Sequence, residues 1–113
     1  MRKHGRKDAN HDAVVDAARG AGCKVLSLAA LGDGAPDLLV WAPLLGGPCQ
    51  PPTAPARLLL VEVKDGSKPP SKRELTEDQQ RFCADWPVHV VLSPADMVAL
   101  VRPRRVMHFF WGK

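Results

Sequence analysis

The run Leu58-Leu59-Leu60-Val61-Glu62-Val63 sets one carboxylate inside otherwise unbroken aliphatic sequence, and it constrains the fold more than any other feature of the chain. A run this short and this apolar predicts a strand, Arg57 to Lys64, central in its sheet and buried on both faces. Side chains alternate along a strand, so Glu62 and Lys64 emerge on one face at its end. An uncompensated charge there costs roughly several kcal/mol, so Glu62 requires a partner, a metal or a proton. Asp37 opens a second apolar run, Leu38-Leu39-Val40-Trp41, and supplies a second carboxylate. Two carboxylates and one ammonium converging on a strand end form the layout of a hydrolytic site that uses a divalent cation.

The rest of the chain arranges itself around these strands. Asp8 to Ala21 predicts a helix with Ala9, Ala13, Val14, Ala17, Ala18 and Ala21 as its apolar face and Gly22 as its stop. Lys24 to Ala30 reads as a short strand, Gly32-Asp33-Gly34 as a turn and Asp37 to Ala42 as the next strand. Residues 43–56 hold five prolines and two glycines, which excludes a helix or an interior strand, so this stretch is an inserted loop. It is either a tolerated surface loop or an arm that touches substrate or partner. Asp65 to Glu74 is a polar loop, Thr76 to about Asp85 a helix ended by Trp86-Pro87, Val88 to Leu92 a strand, and Pro94 to Leu100 a short helix. Val106 to Phe110 is a candidate last strand. The order α-β-β-β-α-β predicts an α/β fold, a mixed β-sheet flanked by helices. One domain spans 1–113, with residues 1–7 a basic tail and no internal repeat.

The composition sets limits on function. Sixteen basic residues against twelve acidic give a net charge of +4, and 45% of residues are hydrophobic. The excess charge permits a polyanionic partner without requiring one. Much of it sits at the ends, in Arg2, Lys3, Arg6, Lys7, Arg102, Arg104 and Arg105. Cys23, Cys49 and Cys83 lack zinc-type spacing and read as reduced thiols of a cytoplasmic protein, Cys23 and Cys83 packed and Cys49 in a loop. No apolar run approaches the ~20 residues of a membrane span, and the N-terminus carries no apolar signal segment.

Gly34-Ala35-Pro36-Asp37-Leu38-Leu39-Val40, then Leu60-Val61-Glu62-Val63-Lys64-Asp65-Gly66, then Leu75-Thr76-Glu77-Asp78-Gln79 resembles the PD-(D/E)xK nucleases, in particular their VRR-NUC branch with its small stand-alone phage-type members. The likeness covers roughly residues 8 to 100. It implies a restriction-endonuclease-like core and hydrolysis of DNA phosphodiester bonds to a 5′-phosphate and a 3′-hydroxyl. Branched substrates such as four-way junctions, cut in the manner of a Holliday junction resolvase, are the first expectation. It also implies a cytoplasmic setting in a bacterium or a phage-infected host, and no small-molecule cofactor.

On this reading Asp37, Glu62 and the carbonyl of Val63 hold Mg²⁺ or Mn²⁺, while Lys64 orients a water or stabilises charge on the phosphorus. Gln79 carries two readings. Thr76-Glu77-Asp78-Gln79 fits a capping box with Gln79 reaching back to the helix start, whereas the resemblance turns this glutamine toward the site. Asn10 occupies the place where related domains carry a metal-binding glutamate, which leaves a second metal open. Asp12 and Asp16 read as solvated and His11 as a surface histidine, with contact to metal or phosphate as its alternative. Lys68, Lys72 and Arg73 follow the central strand in a proline-stiffened loop and either clamp phosphates or face solvent. At the aromatic end, alternation puts Met107, Phe109 and Trp111 on one face and Val106, His108 and Phe110 on the other, so a strand there needs cover on both faces, from its own core or from a second copy in a homodimer. A catalytically silent DNA-binding or assembly module, and a nuclease acting on RNA, are the alternatives.

Overall fold

The computed structural model describes residues 9–46 and 50–103. The aromatic end at Val106 to Phe110, the basic residues before Ala9 and after Pro103, and Cys49 lie outside them. The described chain runs α1 (His11–Gly20), β1 (Lys24–Ser27), β2 (Leu38–Pro43), β3 (Ala56–Val63), a 3₁₀ turn (Pro70–Lys72), α2 (Glu77–Asp85), β4 (Val88–Val91) and α3 (Pro94–Val101). The four strands form one mixed sheet in the order β1-β2-β3-β4, antiparallel up to β3 and parallel between β3 and β4. This is a small α/β domain whose sheet is flanked by helices, and α3 lies where a short helix from Pro94 to Leu100 is predicted. Among the described residues no helix is long and apolar enough to cross a membrane.

The element boundaries follow local chemistry. The α1 helix starts after Asn10 and ends at Ala21 and Gly22, whose φ of +92° suits a residue without a Cβ. Thr76 caps α2 and Ser93 caps α3, each side-chain oxygen accepting from a backbone N–H in the first turn. The proline-rich stretch is the β2–β3 connection, but Pro43 and Ala56 are paired within the strands. The Leu44 N–H also donates to the Pro55 carbonyl at 2.9 Å. The unpaired loop is therefore shorter than the composition indicated, because proline can sit at a strand end.

One face of the sheet carries the core. Val40, Val61 and Val63 pack there with Val14 and Ala18 of α1 and Met97 and Val101 of α3. The helix face toward the sheet is centred on Val14 and Ala18, whereas Ala9 and Ala13 are exposed. The expectation that β3 is buried on both faces fails. Leu59, Val61 and Val63 are buried, while Leu58 is 69% exposed and Leu60 only partly covered. Among the described residues helices lie along one face only, and α2 reaches the other near the end of β3, where Gln79 meets Glu62. Cys23 is buried, with burial pushing its thiol pKa up, and Cys83 is half-buried.

Candidate active site

The antiparallel pairing of β2 with β3 matches Leu38 to Val61. One step further along the same register sets Asp37 across from Glu62. The ladder on the other side also runs past its strand ends, since the Leu28 N–H donates to the Asp37 carbonyl at 2.7 Å. Asp37 Oδ2 accepts from the Val63 N–H at 2.7 Å, which pins this carboxylate to the end of β3. Asp37 is thus fixed by the backbone of two neighbours rather than by side-chain packing alone.

Glu62 is 4% exposed. Its Oε2 accepts from Gln79 Nε2 at 3.1 Å and lies 3.6 Å from Lys64 Nζ. Burial, and then the negative charge of Asp37, push the Glu62 pKa up to about 8 against the opposing pull of Lys64. A proton on Glu62 is further held by a hydrogen bond to Asp37. Lys64 Nζ donates to Gln79 Oε1 at 3.0 Å, and the Lys64 N–H donates to the Val91 carbonyl at 3.0 Å.

Gln79 serves in both of its predicted roles at once. Its Oε1 accepts from the Thr76 N–H at 2.9 Å while Thr76 Oγ1 accepts from the Gln79 N–H at 3.1 Å, a complete capping box. The same Oε1 also receives Lys64, and Nε2 reaches Glu62. The cap therefore sets the position and orientation of the side chain that bridges the two charged groups. Gln79→Ala is expected to lower stability by about 1 kcal/mol through the lost cap and to reduce activity as Lys64 loses its fixed partner. Urea unfolding beside a cleavage assay separates the two, and unchanged activity would remove Gln79 from the site.

Gly34 allows α2 to approach. Its φ is +81°, and a Cβ there would collide with the Asp78 carbonyl and come within 2.9 Å of the Gln79 nitrogen. The turn before Asp37 and the first turn of α2 are therefore in direct backbone contact. Gly34→Ala should cost about 1–3 kcal/mol in backbone strain alone and displace Gln79 from Glu62 and Lys64. A melting temperature equal to the wild type would contradict this.

An open cavity of about 610 Å³ brings Asp37, Glu62, Val63, Lys64 and Gln79 together. Asn10 does not line it. Its Nδ2 donates to the Leu92 carbonyl at 2.9 Å and the Lys64 carbonyl at 3.3 Å, tying the start of α1 to the ends of β3 and β4. His11 lines the cavity instead, with its side chain only 12% exposed and Nδ1 3.5 Å from Asp12 Oδ1. The surface placement expected for His11 is thus corrected. The sequence held the signal: Val14 and Ala18 are the buried positions of α1, and His11 continues their stripe one turn earlier. Asp12 and Asp16 are exposed, as expected.

Lys68, Lys72 and Arg73 do not line the cavity. Arg73 Nε donates to the Lys68 carbonyl at 2.8 Å, which folds this loop on itself around the 3₁₀ turn. Before it, Asp65 Oδ1 accepts from the Ser67 N–H and hydroxyl at 2.9 and 2.7 Å, and these bonds hold its carboxyl below the usual range.

The donor set fits a hard cation only loosely held by protein. Among the described residues no group of three or more His, Cys, Asp or Glu is arranged to hold a metal, so a closed protein cage is absent there. Mg²⁺ asks for less, because it keeps several waters and commonly takes one or two carboxylates plus substrate phosphate. Asp37 and Glu62 meet that requirement: burial and then the charge of Asp37 raise the proton affinity of Glu62, and a cation would take the place of that proton. No family model, curated protein or solved structure matches this chain.

Proposed function

We propose that the protein is a divalent-metal-dependent nuclease of the PD-(D/E)xK type, similar to the VRR-NUC branch, that hydrolyses DNA phosphodiester bonds. The observation that carries this reading is the single connected cluster at the end of β3: Asp37 across from Glu62, Lys64 beside Glu62, and Gln79 bonded to both. A structural ion pair needs one acid and one base. Here a second carboxylate is pinned to the same strand end and raises the proton affinity of the first, an arrangement that costs stability and is retained at functional sites.

The residues divide the work. Asp37, Glu62 and the Val63 carbonyl would hold Mg²⁺ or Mn²⁺, which when bound would polarise the phosphodiester and make a water more acidic. The bond from Val63 N–H fixes Asp37 before any ligand arrives, so little reorganisation remains for binding. Lys64 presents an ammonium held by Gln79 Oε1, aimed where negative charge grows on the phosphate oxygens. Gln79 sets that direction and keeps a donor on Glu62. The described residues supply no recognition helix or base-reading set, so on this reading cutting follows the shape of the substrate rather than its sequence.

The test is cleavage of labelled four-way junction, flap, duplex and single-stranded DNA, with matching RNA, in Mg²⁺, Mn²⁺ or EDTA, by wild type and Glu62→Ala. Metal-dependent cutting lost in the variant is the expected result, and the substrate ranking names the preferred shape. Tight binding with no cutting of any substrate would overturn the enzyme reading in favour of a silent DNA-binding module.

A further inference from the structure

The cavity continues well past the carboxylates. On one side it is walled by His11, Val15 and Arg19, which recur every four residues and so form one stripe of α1. On the other side it is walled by Val25, Ser27 and Ala29, alternate residues along and just past β1. The direction is fixed by two contacts. Asn10, next to His11, bonds the Lys64 carbonyl, and Leu28, next to Ser27, bonds Asp37. His11 and Ser27 therefore stand at the site end, and Arg19 in the last turn of α1 stands at the far end. Eight residues of helix separate His11 from Arg19, about 12 Å.

The chemistry along this trough is graded. Val15 and Val25 give it an apolar middle. Ser27 Oγ accepts from the Ala29 N–H at 3.2 Å, which leaves its own proton available to donate. Arg19 is exposed and forms no side-chain hydrogen bond or ion pair with the described residues. Arginine presents a planar fork of donors that matches a phosphate. Asp78, which also lines the cavity, is engaged by Arg81. Among the described residues no Phe or Trp lines the cavity.

We propose that this trough is the path of one nucleic-acid strand, with the scissile phosphate at Asp37, Glu62 and Lys64 and a phosphate of the same strand on Arg19. The proposal rests on the nuclease reading and adds to it the strand geometry. At about 3.4 Å of rise per nucleotide in a stacked strand, the stretch from His11 to Arg19 spans three to four nucleotides. The walls belong to two elements in contact with each other, α1 and β1, so the proposed occupant is one strand rather than a duplex. The substrate class that follows is nucleic acid with a single-stranded portion of at least that length beside the scissile bond. The cation that anchors it comes from α1, not from the Lys68-to-Arg73 loop.

Fluorescence anisotropy of labelled 12-nucleotide DNA and RNA strands, in Ca²⁺ to hold back cleavage, tests this across a salt series, beside cleavage kinetics in Mg²⁺. Arg19→Ala should weaken binding of the preferred strand about tenfold and flatten the slope of log K against log salt by about 0.7, the loss of one phosphate contact on a single strand. Arg19→Lys should keep most of the slope. In cleavage, the ratio of Arg19→Ala to wild-type KM should grow as the strand lengthens from two to six nucleotides on that side, with kcat little changed. Equal affinity and slope in Arg19→Ala, while the wild type binds and cuts, overturns the path and leaves the nuclease reading intact. Blunt duplex bound as tightly and with the same dependence on Arg19 overturns the single-strand assignment. A wild type that neither binds nor cuts any strand overturns both.

Discussion

Lys64→Ala is expected to lower kcat for strand cleavage by roughly 10²–10³-fold, the usual loss when one preorganised donor to developing charge is removed. Substrate affinity should change little. The reason lies in how the ammonium is held. Lys64 Nζ is anchored by Gln79 Oε1 at 3.0 Å and stands 3.6 Å from Glu62 Oε2, with its side chain only 12% exposed. A lysine fixed this way interacts with a phosphate more strongly as negative charge accumulates, and so it contributes to rate more than to binding. Lys64→Arg should not restore the rate, because a planar fork cannot occupy the same point between Gln79 and Glu62. Single-turnover cleavage in Mg²⁺ and Mn²⁺, paired with anisotropy in Ca²⁺, separates the two effects. A rate within threefold of the wild type would show that Lys64 is only the counter-ion of Glu62.

Much of this site is written locally in the chain, and the part that is not depends on register. The strand at β3 follows from its aliphatic run, and the placing of Glu62 and Lys64 on one face follows from alternation. That Asp37 faces Glu62 does not follow, because it requires the pairing of Leu38 with Val61 across a loop whose closed length composition misjudged. The capping box at Thr76 was legible as four residues, and so was a second use for Gln79. What no local reading could supply is that one amide satisfies both, since that needs Gly34 to bring the Asp37 turn against the backbone of Asp78. His11 was undervalued because small residues broadened the apparent apolar face of α1 beyond the stripe through Val14 and Ala18. Leu58 and Leu60 misled in the opposite direction. An apolar run reports that a strand is compatible with burial, not how many layers cover it.

In EDTA the protein should lose stability as pH rises, the reverse of the usual behaviour of a paired carboxylate. Glu62 titrates near pH 4.5 when unfolded and is pushed up to about 8 in the fold by burial and by Asp37. The folded state therefore holds a proton that the unfolded state has released, and its stabilising effect is fully present below about pH 4.5 and gone once pH passes about 8. Water in the open cavity screens the pair, which holds the effect to about 2 kcal/mol, still several degrees in Tm for a chain of this size. A divalent cation competes with that proton for the same two carboxylates, so the rise in Tm on adding Mn²⁺ should be larger at pH 8 than at pH 6. Glu62→Gln carries a neutral amide of the same shape, and it should flatten the pH slope in EDTA and abolish most of the Mn²⁺ response together. Thermal melts of both proteins at pH 5, 6, 7 and 8, with and without Mn²⁺, provide the comparison. A wild-type Tm that climbs between pH 5 and 8 in EDTA would mean Glu62 is already ionised in the fold, matched by Lys64 alone, and a cation at this strand end would have no electrostatic basis.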